Sequence, residues 1–178
     1  MIGDATPLDR SAVTLGWVQS SVAFRRLAYR SAYALLRVYW FALRPPLSGV
    51  KCLLTDGDRV LLVRHTYGPR DWEIPGGGFK HDEDPASAAR RETHEELGVW
   101  IEDWLDLGEL PATMNHRAGA LHCFQASVRE PPIRIDPGEL AVAKWFPRHE
   151  LPPDVGRYVE PILDRAAIPT RSSRAACS

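Results

Sequence analysis

One run constrains this chain more than any other: Gly76-Gly77-Gly78-Phe79, then Asp84-Pro85, then Arg91-Glu92-Thr93-His94-Glu95-Glu96-Leu97-Gly98. It predicts a glycine-rich loop that enters a short helix. Asp84 is placed to cap that helix, and Pro85 takes the first helical position, where a missing N–H costs nothing. Gly98 stops the helix after Leu97 as a C′ residue. At about 100° per residue, Ala86, Ala89, Thr93 and Leu97 share a face suited to a core. Spacings of three and four bring Glu92, Glu95 and Glu96 together on another face.

The acidic face breaks a local rule. Carboxylates crowd the last helical turn, where the macrodipole already leaves partial negative charge and Lys or Arg would be preferred. Such violations concentrate at functional sites. A hard divalent cation with oxygen ligands, Mg²⁺ or Mn²⁺, would relieve the repulsion. The competing reading is a solvated helix carrying an Arg91–Glu95 pair at i,i+4, and for Glu95-Glu96 alone it is the better one. The whole stretch favours the metal.

The stretch resembles the Nudix box, Gly-x5-Glu-x7-Arg-Glu-U-x-Glu-Glu-x-Gly-U, with U a bulky apolar residue. Gly77, Glu83, Arg91, Glu92, Glu95, Glu96, Gly98 and Val99 fall on its positions, and Thr93 at the first U is a mild departure. So many spaced matches are far more specific than a lone glycine signature. The resemblance runs over residues 49–167, and Trp72 before Ile-Pro-Gly-Gly is also usual in the family. It implies an α/β/α sandwich around a mixed β-sheet. It also implies a metal-dependent pyrophosphohydrolase acting on a nucleoside diphosphate linked to another moiety. By position, Glu92 and Glu96 would be the principal metal ligands, with Glu95 joining when further ions bind and the Gly76 carbonyl as the non-carboxylate ligand. Arg91 would orient Glu92 and the loop, and Gly77 and Glu83 would support it. Glu139, in Asp136-Pro137-Gly138-Glu139-Leu140, sits where a downstream glutamate often adds a base or ligand; a solvated turn is the alternative. Glu73 is a further acid near the site or a strand-surface residue. Lys80 replaces an acid common in the family, and Asp82 replaces a glycine, which is expected to alter the loop.

Composition narrows the partners. A net charge of −1 and 44% hydrophobic residues suit a globular protein and give no global pull towards nucleic acid, so no DNA is expected. Cys52, Cys123 and Cys177 form no Cys-x-x-Cys pair, which argues against zinc and disulfides and fits a reducing cytoplasm. Cys52 and Cys123 read as core residues.

Three segments follow: an extension over 1–47, a catalytic domain over 48–168 and a polar tail over 169–178. The first seventeen residues read as a flexible lead, and 18–43 as one amphipathic helix ended by Arg44-Pro45-Pro46. Six arginines and two aspartates up to Val50 leave a local charge of +4. With its aromatic residues this helix suits packing on the catalytic domain or a homodimer first. A membrane surface comes second, and an export signal after Arg25-Arg26 a distant third. Beyond it, 49–55 and 59–65 flank an Asp-Gly turn and predict a hairpin. Residues 72–74, 104–112, 120–128 and 141–146 read as strands, and 155–167 as a closing helix. For the nucleotide-type substrate, Tyr67, Arg70, Trp72 and His116 are candidates to stack on a base or hold phosphates, with Arg117 and His122 behind them. Each also has an ordinary structural role. A nucleotide-binding or regulatory protein without turnover is the alternative to an enzyme.

Overall fold

The structure is a computed structural model describing residues 10–80, 82–129 and 131–166, with side chains from residue 22 onward. Its elements are α1 (Arg10–Leu43), β1 (Leu47–Asp56), β2 (Arg59–His65), α2 (Pro85–Leu97), β3 (Leu105–Met114), β4 (Arg117–Ser127), β5 (Leu140–Pro147) and α3 (Val159–Leu163). The strands form one mixed sheet in the order β3-β4-β1-β2-β5, with β1 parallel to β4 and the other neighbours antiparallel. Gly57, at φ 62, makes the β1–β2 turn.

β1 is central and buried on both faces. Alternation sends Val50 and Cys52 towards Ala88 and Ala89 of α2, and Leu53 towards Val159, Ile162 and Leu163 of α3. These contacts make a sheet between helices, the sandwich architecture expected. Cys52 and Cys123 are buried core thiols, while Cys177 lies outside the described residues.

Two helix boundaries differ from expectation. α1 starts at Arg10, so residues 10–17 continue the helix through Ala12, Val13, Leu15 and Trp17 instead of forming a lead. α3 is shorter than 155–167, because Val155 bridges to Trp72 and the Gly156 N–H donates to the Trp72 carbonyl at 2.8 Å, which holds them extended. The 72–74 segment contributes isolated bridges, Glu73 to Val63 and Trp72 to Val155, instead of a full strand.

The inner face of α1 packs on the rest of the fold, as its aromatic content suggested. Tyr29 and Tyr33 flank Tyr67, Trp40 lies 4.0 Å under the Arg117 guanidinium, and Phe41 meets His116 edge-on at 5.2 Å. Its outer face leaves Phe24, Leu27, Leu35 and Val38 exposed. Among the described residues no helix is long and apolar enough to cross a membrane.

Candidate active site

The box helix has the termini its sequence demands. The Asp84 carboxylate accepts from the Ala86 and Ser87 N–H groups, and Gly98 closes α2 at φ 67. Thr93 stands where an apolar residue is usual, and its buried hydroxyl is satisfied by donating to the Ala89 carbonyl at 2.8 Å.

The glycine loop is pinned to β1. Val50 N–H donates to the Gly77 carbonyl and Cys52 N–H to the Pro75 carbonyl, both at 2.8 Å. The Gly76 N–H is thereby aimed at Glu96 Oε2, 3.0 Å away. Glu92 lies against Gly77 so closely that a Cβ there would sit 2.5 Å from its carboxyl carbon. Arg91 ties the loop to the helix. It holds Glu83 through two nitrogens at 2.8 Å, Glu92 at 2.7 Å, Glu95 at 3.1 Å and the Gly78 carbonyl at 2.9 Å. That grip holds the Glu83 carboxyl down at about 2.

Glu96 is only 1% exposed. Burial first, then Glu139 and Glu92, pushes its carboxyl up to about 8. Burial likewise raises Glu92 and Glu139 above the usual carboxylate range. Glu139 arrives from the turn before β5, and the Tyr67 hydroxyl donates to its Oε1 at 2.7 Å. Oxygens of Glu96 and Glu139 and a ring nitrogen of His65 all lie within 4.8 Å of one another.

His65 was not foreseen, because a histidine at a strand end carries no local signal. Its Nδ1 is buried without a hydrogen-bond partner, and burial together with Lys51 lowers its pKa to about 4. Lys51 was missed for the same reason. It is buried in β1, with its ammonium on the Ile74 carbonyl at 2.9 Å and on Glu73 at 3.2 Å, which gives Glu73 a structural partner.

The other expected residues divide. Tyr67 joins the site through Glu139, but Trp72 belongs to the core, edge-on to Phe146 and under the Arg64 guanidinium, so it cannot stack on a substrate base. His116 packs on Phe41, and Arg117 on Trp40; Arg70 is exposed in the loop after β2. His122 meets Asp106 at 3.0 Å and stacks on Phe124. Lys80 reaches Glu95 at 3.4 Å across an exposed gap.

Asp82 holds φ 57, in the left-handed region that favours glycine. Asp82→Val is expected to destabilise the protein by about 1–2 kcal/mol in denaturant unfolding, and Asp82→Gly by no more than about 0.5 kcal/mol.

These features fit a divalent cation: a carboxylate cluster of raised proton affinity, an orphaned buried imidazole nitrogen, and a Gly76 carbonyl accepting no hydrogen bond among the described residues. The NUDIX domain family matches residues 45–165, and the chain belongs to that family. Diphosphoinositol polyphosphate phosphohydrolase 2 of Rattus norvegicus is 50% identical over 42 residues, 24% of either chain. The RNA pyrophosphohydrolase of Saccharophagus degradans is 38% identical over 69 residues, 38% of this chain and 41% of that one. The chain therefore spans a quarter to two fifths of the length of these curated relatives. Among solved structures, the MutT NUDIX hydrolase of Burkholderia pseudomallei superposes with a TM-score of 0.63 at 23% identity, covering 68% of this chain and 98% of that one. The NUDIX domain of Shewanella oneidensis NrtR, complexed with ADP ribose, gives 0.59 at 20% identity, covering 70% and 88%. At these identities both likenesses speak for the fold.

Proposed function

We propose that this protein is a divalent-cation-dependent pyrophosphohydrolase that cleaves the anhydride of a nucleoside diphosphate linked to another group. The carrying observation is the buried Glu96, fixed by the Gly76 N–H and gathered with Glu139 and His65. Glu92, Glu96 and the Gly76 carbonyl would hold the ion, with Glu95 at the exposed edge. An Mg²⁺ or Mn²⁺ ion there supplies charge neutralisation for the phosphate oxygens and a lowered pKa for bound water. Glu139 has one oxygen on Tyr67 and the other available to take a proton from the attacking water. Attack forms a new P–O bond, breaks the bridging P–O bond and yields two phosphorylated products. His65, held neutral, would offer a nitrogen donor, which Mn²⁺ accepts more readily than Mg²⁺ does.

A panel of nucleoside diphosphate-X compounds assayed with Mg²⁺, Mn²⁺ or EDTA tests this reading. At least one is expected to turn over, more readily with Mn²⁺, and EDTA is expected to abolish it. Binding without any turnover would favour the nucleotide-binding alternative, in line with the ADP ribose held by the NrtR domain.

We also propose that the exposed apolar face of α1 meets a second copy in preference to a membrane surface, which light scattering and liposome flotation separate. A reducing cytoplasmic setting suits the buried thiols of Cys52 and Cys123.

A further inference from the structure

We infer that α1 is a strut for the active site, holding Glu139 in place through Tyr67, so that Tyr67, Tyr29 and Tyr33 are positioning residues for the reaction. The inference rests on the role of Glu139 proposed above.

Two loops meet under α1. The loop after β2 grips the turn before β5 by backbone and side chain: Thr66 N–H donates to the Glu139 carbonyl at 2.8 Å, and its hydroxyl to the Gly138 carbonyl at 2.6 Å. The Tyr67 hydroxyl then fixes the Glu139 carboxylate itself at 2.7 Å. Tyr67 has little freedom of its own. Tyr29 stacks on it nearly parallel at 5.9 Å, and Tyr33 closes against it at 5.2 Å.

α1 also holds both loops directly. Arg25 pairs with Asp136 at 2.5 Å, Arg26 donates to the Pro137 carbonyl at 2.9 Å, and Arg30 donates to the Thr66 carbonyl at 3.3 Å. Each loop has a glycine where the helix crosses. A Cβ on Gly138 would lie 3.1 Å from the Tyr29 ring, and one on Gly68 would lie 3.2 Å from the Tyr33 ring. The crossing is thus built for close approach. Stacked aromatic rings bury area and lose little rotamer freedom, so they suit a rigid support. A hydroxyl that orients a charged group is the arrangement whose removal loosens an acidic site without dismantling it.

The test uses the full chain and the variants Tyr67→Phe, Glu139→Gln and their combination. Mn²⁺ binding is read by electron paramagnetic resonance, kcat by steady-state assay, and amide exchange of residues 136–140 in the metal-free protein by mass spectrometry. Tyr67→Phe is expected to weaken Mn²⁺ binding or lower kcat by on the order of tenfold. The loss is expected to vanish in the Glu139→Gln background, since the two act as one unit. Exchange at 136–140 is expected to quicken in Tyr67→Phe, and in Tyr33→Leu as well. A loss confined to kcat supports the strut and assigns Glu139 to water instead of the ion. Equal losses in both backgrounds, or unchanged exchange, would overturn it. The exchange readout needs neither ion nor substrate, so it decides the strut even if the parent hydrolyses nothing, a result that would count against the proposed function alone.

Discussion

Glu96→Gln is expected to lose metal-dependent turnover by on the order of a thousandfold and to remain folded. The substitution keeps an acceptor oxygen for the Gly76 N–H, 3.0 Å from the present carboxylate, so the glycine loop keeps its anchor. What disappears is the charge that holds the ion. Turnover within about threefold of the parent would place the ion elsewhere. A second signature appears without metal. The Glu96 carboxyl is raised from 4.5 to about 8 in the folded chain, so between those values the folded state keeps a proton that the unfolded state releases. Metal-free stability should therefore fall as pH rises through this window, by up to about 1.4 kcal/mol per pH unit for one proton, and level off above it. Glu92 and Glu139, also raised, act in the same sense. Glu83 acts oppositely, but its contribution is lost only as pH falls towards about 2, outside this window. Glu96→Gln removes the main slope, so at alkaline pH without metal the variant should be the more stable protein. Denaturant unfolding across pH, with and without Mn²⁺, measures it.

Gly76→Ala is expected to be strongly destabilising, at roughly 2–6 kcal/mol. Gly76 sits at φ 140, and a Cβ there would meet the Val50 carbonyl oxygen at 2.2 Å. Neither partner can retreat, because Val50 and Gly77 share a backbone hydrogen bond and β1 is the central strand. Gly78→Ala, with nothing within 4 Å of the new methyl, is the matched control and should cost no more than about 0.5 kcal/mol. Equal unfolding midpoints for the two variants would contradict this account of the loop.

Local chemistry made much of this molecule readable. Asp84, Pro85 and Gly98 define α2 within a few residues of chain, and the Asp-Gly turn defines the first hairpin. Arg91 holds Glu83 and Glu92, and Glu96 lies within reach of Glu139. What escaped reading depends on contacts distant in sequence. Nothing around His65 or Lys51 announces that the sheet will carry them to a carboxylate cluster. Glu96 stands beside the half-exposed Glu95 in sequence, yet it is buried, with the Gly76 N–H on its carboxylate. Trp72 had the chemistry of a stacking platform, but it is buried in the core, edge-on to Phe146 and under the Arg64 guanidinium.

The crossing of α1 over two distant loops also bears on how the chain is made. Synthesis runs from the N-terminal side, so α1 is complete well before the ribosome adds Asp136 and Glu139. During that interval Tyr29 and Tyr33 have Tyr67 to meet and Trp40 has Arg117, but Arg25 and Arg26 still lack Asp136 and the Pro137 carbonyl. The docking of α1 is complete only when that turn is made, so the nascent chain acquires its Glu139 carboxylate and the last of the support for it in the same closing step.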